Sequence, residues 1–166
     1  MGEYRGEIVI DWRLRRYPAP QRRELEKFLR RAVVASGLPL DPGWGLELTF
    51  VGDRAMVRCN QQYVGHEGTT DVITFSYFDS PEPLFPGDVG VQAIVNPDAA
   101  FRVGGAQNYG AELALYIVHA LLHAAGEDDL EDEPRAKMRR REREVLGPLA
   151  REFDFSKIFP LGSRRA

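Results

Sequence analysis

The stretch from about Asn108 to Ala125 constrains this chain most. Leu113, Ile117, Leu121 and Ala124 recur at three- and four-residue steps, which predicts a helix with one apolar stripe against a core. His119 and His123 lie on the neighbouring stripe, four residues apart, so both imidazoles project from the same side. Glu112 and Tyr116 continue that stripe one to two turns back, Tyr116 as a packing residue and Glu112 as an exposed acid or an orienting one. Gly126 can take a positive φ and turn the chain back across the helix end. The acids Glu127, Asp128 and Asp129 would then arrive beside the histidines. Two imidazoles, one carboxylate and an open position is the layout of a hydrolytic metal site, with Zn²⁺ the first choice of ion. The same histidine spacing also occurs in helices that bind nothing. The glycine and acids at turn distance are what favour a metal.

The rest of the chain must supply a sheet for that helix to pack on. Strands are predicted at Glu7–Arg13, Leu46–Val51, Val72–Phe78 and Gly87–Val95. Helices are expected from Glu24 to Ser36, stopped by Gly37 and Pro39, and from a capping Asp53 to about Tyr63. Asn96-Pro97-Asp98 is a helix opening, and a last helix should run from about Glu133 to Leu146 before Gly147-Pro148 ends it. The expectation is an α/β fold, a roughly four-stranded mixed sheet with several helices packed on it, with the metal site at the end of a central helix. At 166 residues, 1–166 reads as one domain. Ser80 to Pro86, with three prolines, is a turn or flap.

Composition removes several function classes. A net charge of −3 gives no global attraction to DNA or to an acidic membrane, so any RNA contact must be local. Two such patches stand out, the loop and helix from Arg13 to Arg31 and the last helix with Arg135, Lys137, Arg139, Arg140, Arg141 and Arg143. The alternative for the last helix is a solvated face paired with Glu133, Glu142 and Glu144. A lone cysteine, Cys59, excludes an internal disulfide and fits a cytoplasmic location. No run reaches membrane-spanning length, and no secretory signal is visible.

Three motifs together resemble the YbeY family. Its signature His-Gly-x-Leu-His-Leu-x-Gly-Tyr-Asp-His is matched at His119, Leu122, His123, Gly126 and Asp128. A second, Tyr-Arg-Gly-Lys-Asp-x-Pro-Thr-Asp-Val-Leu-Ser-Phe, resembles Tyr63 to Phe75, and Leu-Gly-Asp-Ile resembles Pro86 to Val89. The final helix with Met138 fits as well. The resemblance implies a metal-dependent endoribonuclease that matures ribosomal RNA and checks the small ribosomal subunit. It makes His119, His123 and Asp129 the metal ligands and catalytic centre, with one divalent ion held between them. Thr70 and Asp71 match the family's Thr-Asp, expected to fix the loop by side-chain to backbone bonds and to meet substrate second. His66, in the slot of the family's lysine, is a candidate phosphate donor or proton carrier, and Arg139 a substrate contact.

Two positions depart from the pattern. Asp129 replaces the third histidine, which lowers the charge around the ion and so its power to acidify water. Val64 replaces the family's arginine and removes a bidentate phosphate contact. Retained metal binding with weakened or retuned cleavage is the expectation. The alternatives are a non-catalytic ribosome-assembly or RNA-binding factor, and a zinc hydrolase of another substrate. A peptidase is disfavoured because Ala120 occupies the slot where a His-Glu-x-x-His enzyme carries its general base.

Overall fold

The computed structural model describes residues 2–78, 82–127 and 131–162. Four strands, β1 (Ile8–Trp12), β2 (Gly45–Phe50), β3 (Val72–Ser76) and β4 (Val89–Val95), form one sheet in the order β1-β2-β4-β3. β1 and β4 both run parallel to β2, and β3 returns antiparallel to β4 at the edge. The sheet is therefore mixed and four-stranded, as expected.

Register decides which face is core. Ile10, Leu48, Ala93 and Thr74 share one row, with Trp12, Phe50, Val95 and Val72 in another on the same side. Against this face lie α1 (Arg22–Ala35) and α3 (Pro97–Ala124). In α1, Leu25, Phe28, Leu29, Ala32 and Val33 are buried, the spacing that predicted the helix. The opposite face carries a small cluster of Val51, Met56, Ile73 and Ile94 beneath α2 (Asp53–Cys59) and is otherwise partly open.

α3 is the central element. Asn96 caps it by accepting from the Asp98 N–H at 3.0 Å, and Pro97 sits in its first turn. Gly105, at φ 66° and ψ −169°, divides it into two helical segments. Leu113, Ile117 and Leu121 are buried as the stripe requires, and Gly110 lets the Phe155 carbonyl approach so closely that a Cβ there would collide with it. That carbonyl belongs to α5 (Phe155–Ile158), a short helix in the tail that packs on α3 and carries no strong sequence signal.

Two local expectations are corrected and a third is refined. Gly52, not Asp53, is the N-cap of α2, and Asp53 is a first-turn acid whose carboxylate reaches other elements. A π-helical turn, Asn60–Val64, continues α2 to the expected end near Tyr63. Gly147-Pro148 does not end the last helix. α4 (Asp132–Glu152) runs through it, because Val145 and Leu149 are buried on either side and offset the single hydrogen bond a proline removes. Among the described residues no helix is long and apolar enough to cross a membrane.

Candidate metal centre and RNA cleft

At its C-terminal end α3 stops in the way Gly126 predicted. Gly126 takes φ 108°, its N–H donates to the His123 carbonyl, and the Glu127 N–H donates to the Leu122 carbonyl. His123, in the last turn, is exposed, whereas His119, one turn earlier, is half-buried. Their ring centres lie 6.4 Å apart with planes at 79°. Both face a cleft of about 280 Å³ whose other walls include Val64, His66, Thr70, Asp71 and Thr74. The fold thus brings together five residues singled out from sequence, His66, Thr70, Asp71, His119 and His123.

His119 is held from behind. Its Nδ1 lies 2.7 Å from Oε2 of Glu142, which projects from α4 and is only 14% exposed. An ionised carboxylate can only accept, so Nδ1 carries the proton and Nε2 is left as the nitrogen suited to a metal. Sequence reading offered Glu142 only as an ion-pair partner on a solvated face, one of two alternatives for this helix, whereas its carboxylate meets His119. Met138, one turn before Glu142, is fully buried and keys α4 against α3.

Tyr116 packs in the core, as predicted. Burial first, then the Glu112 and Asp71 carboxylates and a hydrogen bond to Glu112, push its hydroxyl well above the usual phenol range. It stays a neutral donor, and Glu112 is its half-buried acceptor rather than an exposed acid.

The loop wall rests on Asn96, which is fully buried. Its Nδ2 donates to Asp53 Oδ1 at 2.8 Å, Thr69 Oγ1 at 3.1 Å and the Thr70 carbonyl at 3.1 Å, and its N–H donates to the Asp71 carbonyl at 2.9 Å. Thr70 and Asp71 therefore fix the loop through their carbonyls, not their side chains, which line the cleft. The only side-chain bond linking those two is a long one, Thr70 Oγ1 to Asp71 Oδ1 at 3.4 Å. Arg102 closes on Asp53 at 2.9 Å and, against the opposing effect of burial, holds the Asp53 carboxyl below the usual aspartate range, helped by Asn96 and Thr69.

Other candidates fall elsewhere. Asp129 and Asp128 lie outside the described residues. Among the described residues no group of three histidine, cysteine, aspartate or glutamate side chains is placed to hold a metal ion. Glu127 instead pairs with Lys137 at 3.5 Å. Arg139 is exposed on α4 in a shallow depression beside Leu115 and Arg143, not in the cleft. The basic run after Arg13 is largely structural. Arg16 binds Asp98, Arg22 the Ile10 carbonyl, Arg30 the Tyr4 and Gly6 carbonyls, and Arg31 Glu152.

The family model for endoribonuclease YbeY matches residues 15–150. The chain belongs to the YbeY family. A YbeY endoribonuclease of Chlorobium phaeobacteroides strain BS1 is 34% identical over 126 residues, 76% of this chain and 86% of that one. The protein of the same description from Geobacter metallireducens is 30% identical and spans 88% of this chain and 97% of its own. In fold, the solution structure of TM1509 from Thermotoga maritima aligns with a TM-score of 0.52 at 21% identity, covering 87% of this chain and 93% of that one.

Proposed function

We propose that this YbeY protein is a metal-dependent endoribonuclease of the cytoplasm, cutting single-stranded ribosomal RNA in maturation and small-subunit quality control. The observation that supports it best is His119, fixed by Glu142 beside His123, in a cleft whose opposite wall offers His66, Thr70 and Asp71. The donor set suits one divalent ion, most readily Zn²⁺, with His119 Nε2, His123 and Asp129 as protein ligands. When bound, the ion supplies Lewis-acid activation of water and of the phosphodiester. The chain's own residues do the rest. Glu142 holds His119 in the metal-binding tautomer, Asn96 keeps the Thr70–Asp71 edge at hydrogen-bonding distance from the strand, and His66 donates to phosphate or carries a proton. Arg139 meets the RNA beyond the cleft, on the α4 flank.

Val64, 42% exposed at the cleft wall, offers no charge to a phosphate. Cleavage is therefore weak relative to a three-histidine, arginine-bearing relative. Elemental analysis should find about one ion per chain, and a chelator should stop cleavage of single-stranded RNA until zinc is restored. Val64→Arg and Asp129→His should each raise the rate. A chain that binds no ion and cleaves regardless of chelator overturns the proposal. RNA binding without cleavage, unchanged by either substitution, would make the protein an assembly factor instead.

A further inference from the structure

The partly open face of the sheet carries a second pocket, of about 310 Å³, whose lining residues Cys59, Tyr63 and Phe75 are sequence neighbours of the cleft's Asn60, Val64 and Thr74. We infer that it is a nucleobase subsite, taking one unpaired base of the RNA strand that occupies the cleft. The inference rests on the endoribonuclease reading and extends it to a second binding position.

The walls are those a planar heteroaromatic needs. Phe75 and Tyr77 lie nearly parallel, 13° apart with ring centres at 6.4 Å, and Tyr63 stands edge-on to Phe75 at 5.6 Å and 85°. Tyr63 is 55% and Tyr77 49% exposed, so both rings are open to solvent, and Phe75 between them is half-buried against the Val51, Met56, Ile73 and Ile94 cluster. Every base can stack on an aromatic face. At the pocket floor Thr49 is 4% exposed, and its Oγ1 is buried without a hydrogen-bond partner. An orphaned hydroxyl in a polar-mouthed pocket calls for a ligand atom that can bond it. Gln92, in the same row as Phe75, adds an amide with both a donor and an acceptor. Together the two read the edge of a base whose face is stacked.

Arg13 stands at the mouth, its Nε donating to Asp11 at 2.7 Å with its terminal nitrogens available to a phosphate. Asp11 offsets much of that charge, so the pocket holds a base more than a backbone. Connection to the cleft is direct. Tyr63 faces this pocket while its neighbour Val64 faces the cleft, and along edge strand β3 Thr74 lines the cleft while Phe75 and Tyr77 line the pocket. A single strand folded over that edge reaches both.

Calorimetric titration with adenosine 5′-monophosphate and a short oligoadenylate tests the inference. Tyr77→Ala should weaken oligoadenylate binding about tenfold. Thr49→Val, which keeps the shape and removes the hydroxyl, should weaken the monophosphate by roughly threefold or more with an unchanged melting point. His119→Ala should leave the monophosphate affinity as it was. Unchanged binding in both pocket variants, with RNA cleavage intact, overturns the subsite and spares the proposed function. Weakened binding in a protein that cleaves no RNA with any metal upholds the subsite and removes the nuclease. Self-association abolished by Tyr77→Ala, with no nucleotide bound, would make the face a contact for a second copy and overturn the inference.

Discussion

The two walls of the cleft are built on different physical principles. The histidine wall is one side of a helix whose other side, Leu113, Ile117 and Leu121, is sealed into the core, so backbone position follows from apolar burial. The loop wall, from Val64 to Asp71, is almost wholly exposed and has little apolar contact to hold it. It is positioned by hydrogen bonds to two buried residues, Asn96 for Thr69 to Asp71 and Asn60, whose Nδ2 donates to the Gly68 carbonyl at 3.1 Å and whose carbonyl accepts from the His66 N–H at 3.2 Å. A helix wall tolerates polar change at its surface, whereas the Thr69–Asp71 half of the loop wall should loosen when the Asn96 side chain is removed.

Asn96→Ala makes the sharpest break between them. It removes three donated bonds to Asp53, Thr69 and Thr70 and the cap on the Asp98 N–H. A cap is worth about 1 kcal/mol and each net hydrogen bond about 0.5–1.5 kcal/mol, so the loss should be about 3 kcal/mol in urea denaturation. Because the histidine pair does not depend on the hub, zinc affinity of the folded variant should stay near wild type while KM for RNA rises. Equal losses in metal affinity and KM would show that the walls are not separable.

The same contrast explains what could be read from sequence. Helix periodicity, alternating strands and Gly126 are local signals, and they placed the four strands, α1 and the histidine stripe close to where they lie. The mixed sheet was expected, but its order was not, since the passage from β2 to β4 and the return of β3 to the edge depend on packing. Asn96 was legible as a cap because Asn-Pro-Asp is local, yet its bonds to Thr69, Thr70 and Asp53 span 26 to 43 residues. Glu142 was hidden by its neighbours. In a helix of arginines and acids nothing marks one carboxylate as the partner of a histidine 23 residues away. The basic run from Arg13 to Arg31 was a candidate surface, and charge in sequence does not show which of its guanidinium groups close on carbonyls or carboxylates of the chain itself.

Glu142→Gln tests the histidine wall from behind. The change keeps the size and an acceptor oxygen but removes the negative charge facing Nδ1, and it lets the amide present an N–H there. Outer partners of metal-binding histidines typically matter by about 10–100-fold in metal affinity or activity. Zinc affinity and cleavage should fall together by that factor, while the urea midpoint moves little and the loop wall is undisturbed. A large stability loss at unchanged zinc affinity would instead make Glu142 an ordinary link between α3 and α4.

The smallest expected effect, at Asp53, separates charge from geometry within the loop wall. Arg102 first, then Asn96 and Thr69, hold its carboxyl below the usual aspartate range. A depressed value in the folded state means stabilisation that is complete above the unfolded value, about 3.9, and is lost as pH falls through the lower folded value. The Asp53 side chain is 38% exposed, so solvent screening limits the effect to less than about 1 kcal/mol at neutral pH. Asp53→Asn should therefore lower the urea midpoint slightly at pH 7, and the gap to wild type should close as the pH is taken to about 3. No gap at any pH across that range would place the contribution in the hydrogen bonds from Thr69 and Asn96, which an amide oxygen can still accept, rather than in the ion pair with Arg102. The loop wall would then be held by neutral bonds alone, and its position would not respond to acid until the protein unfolds.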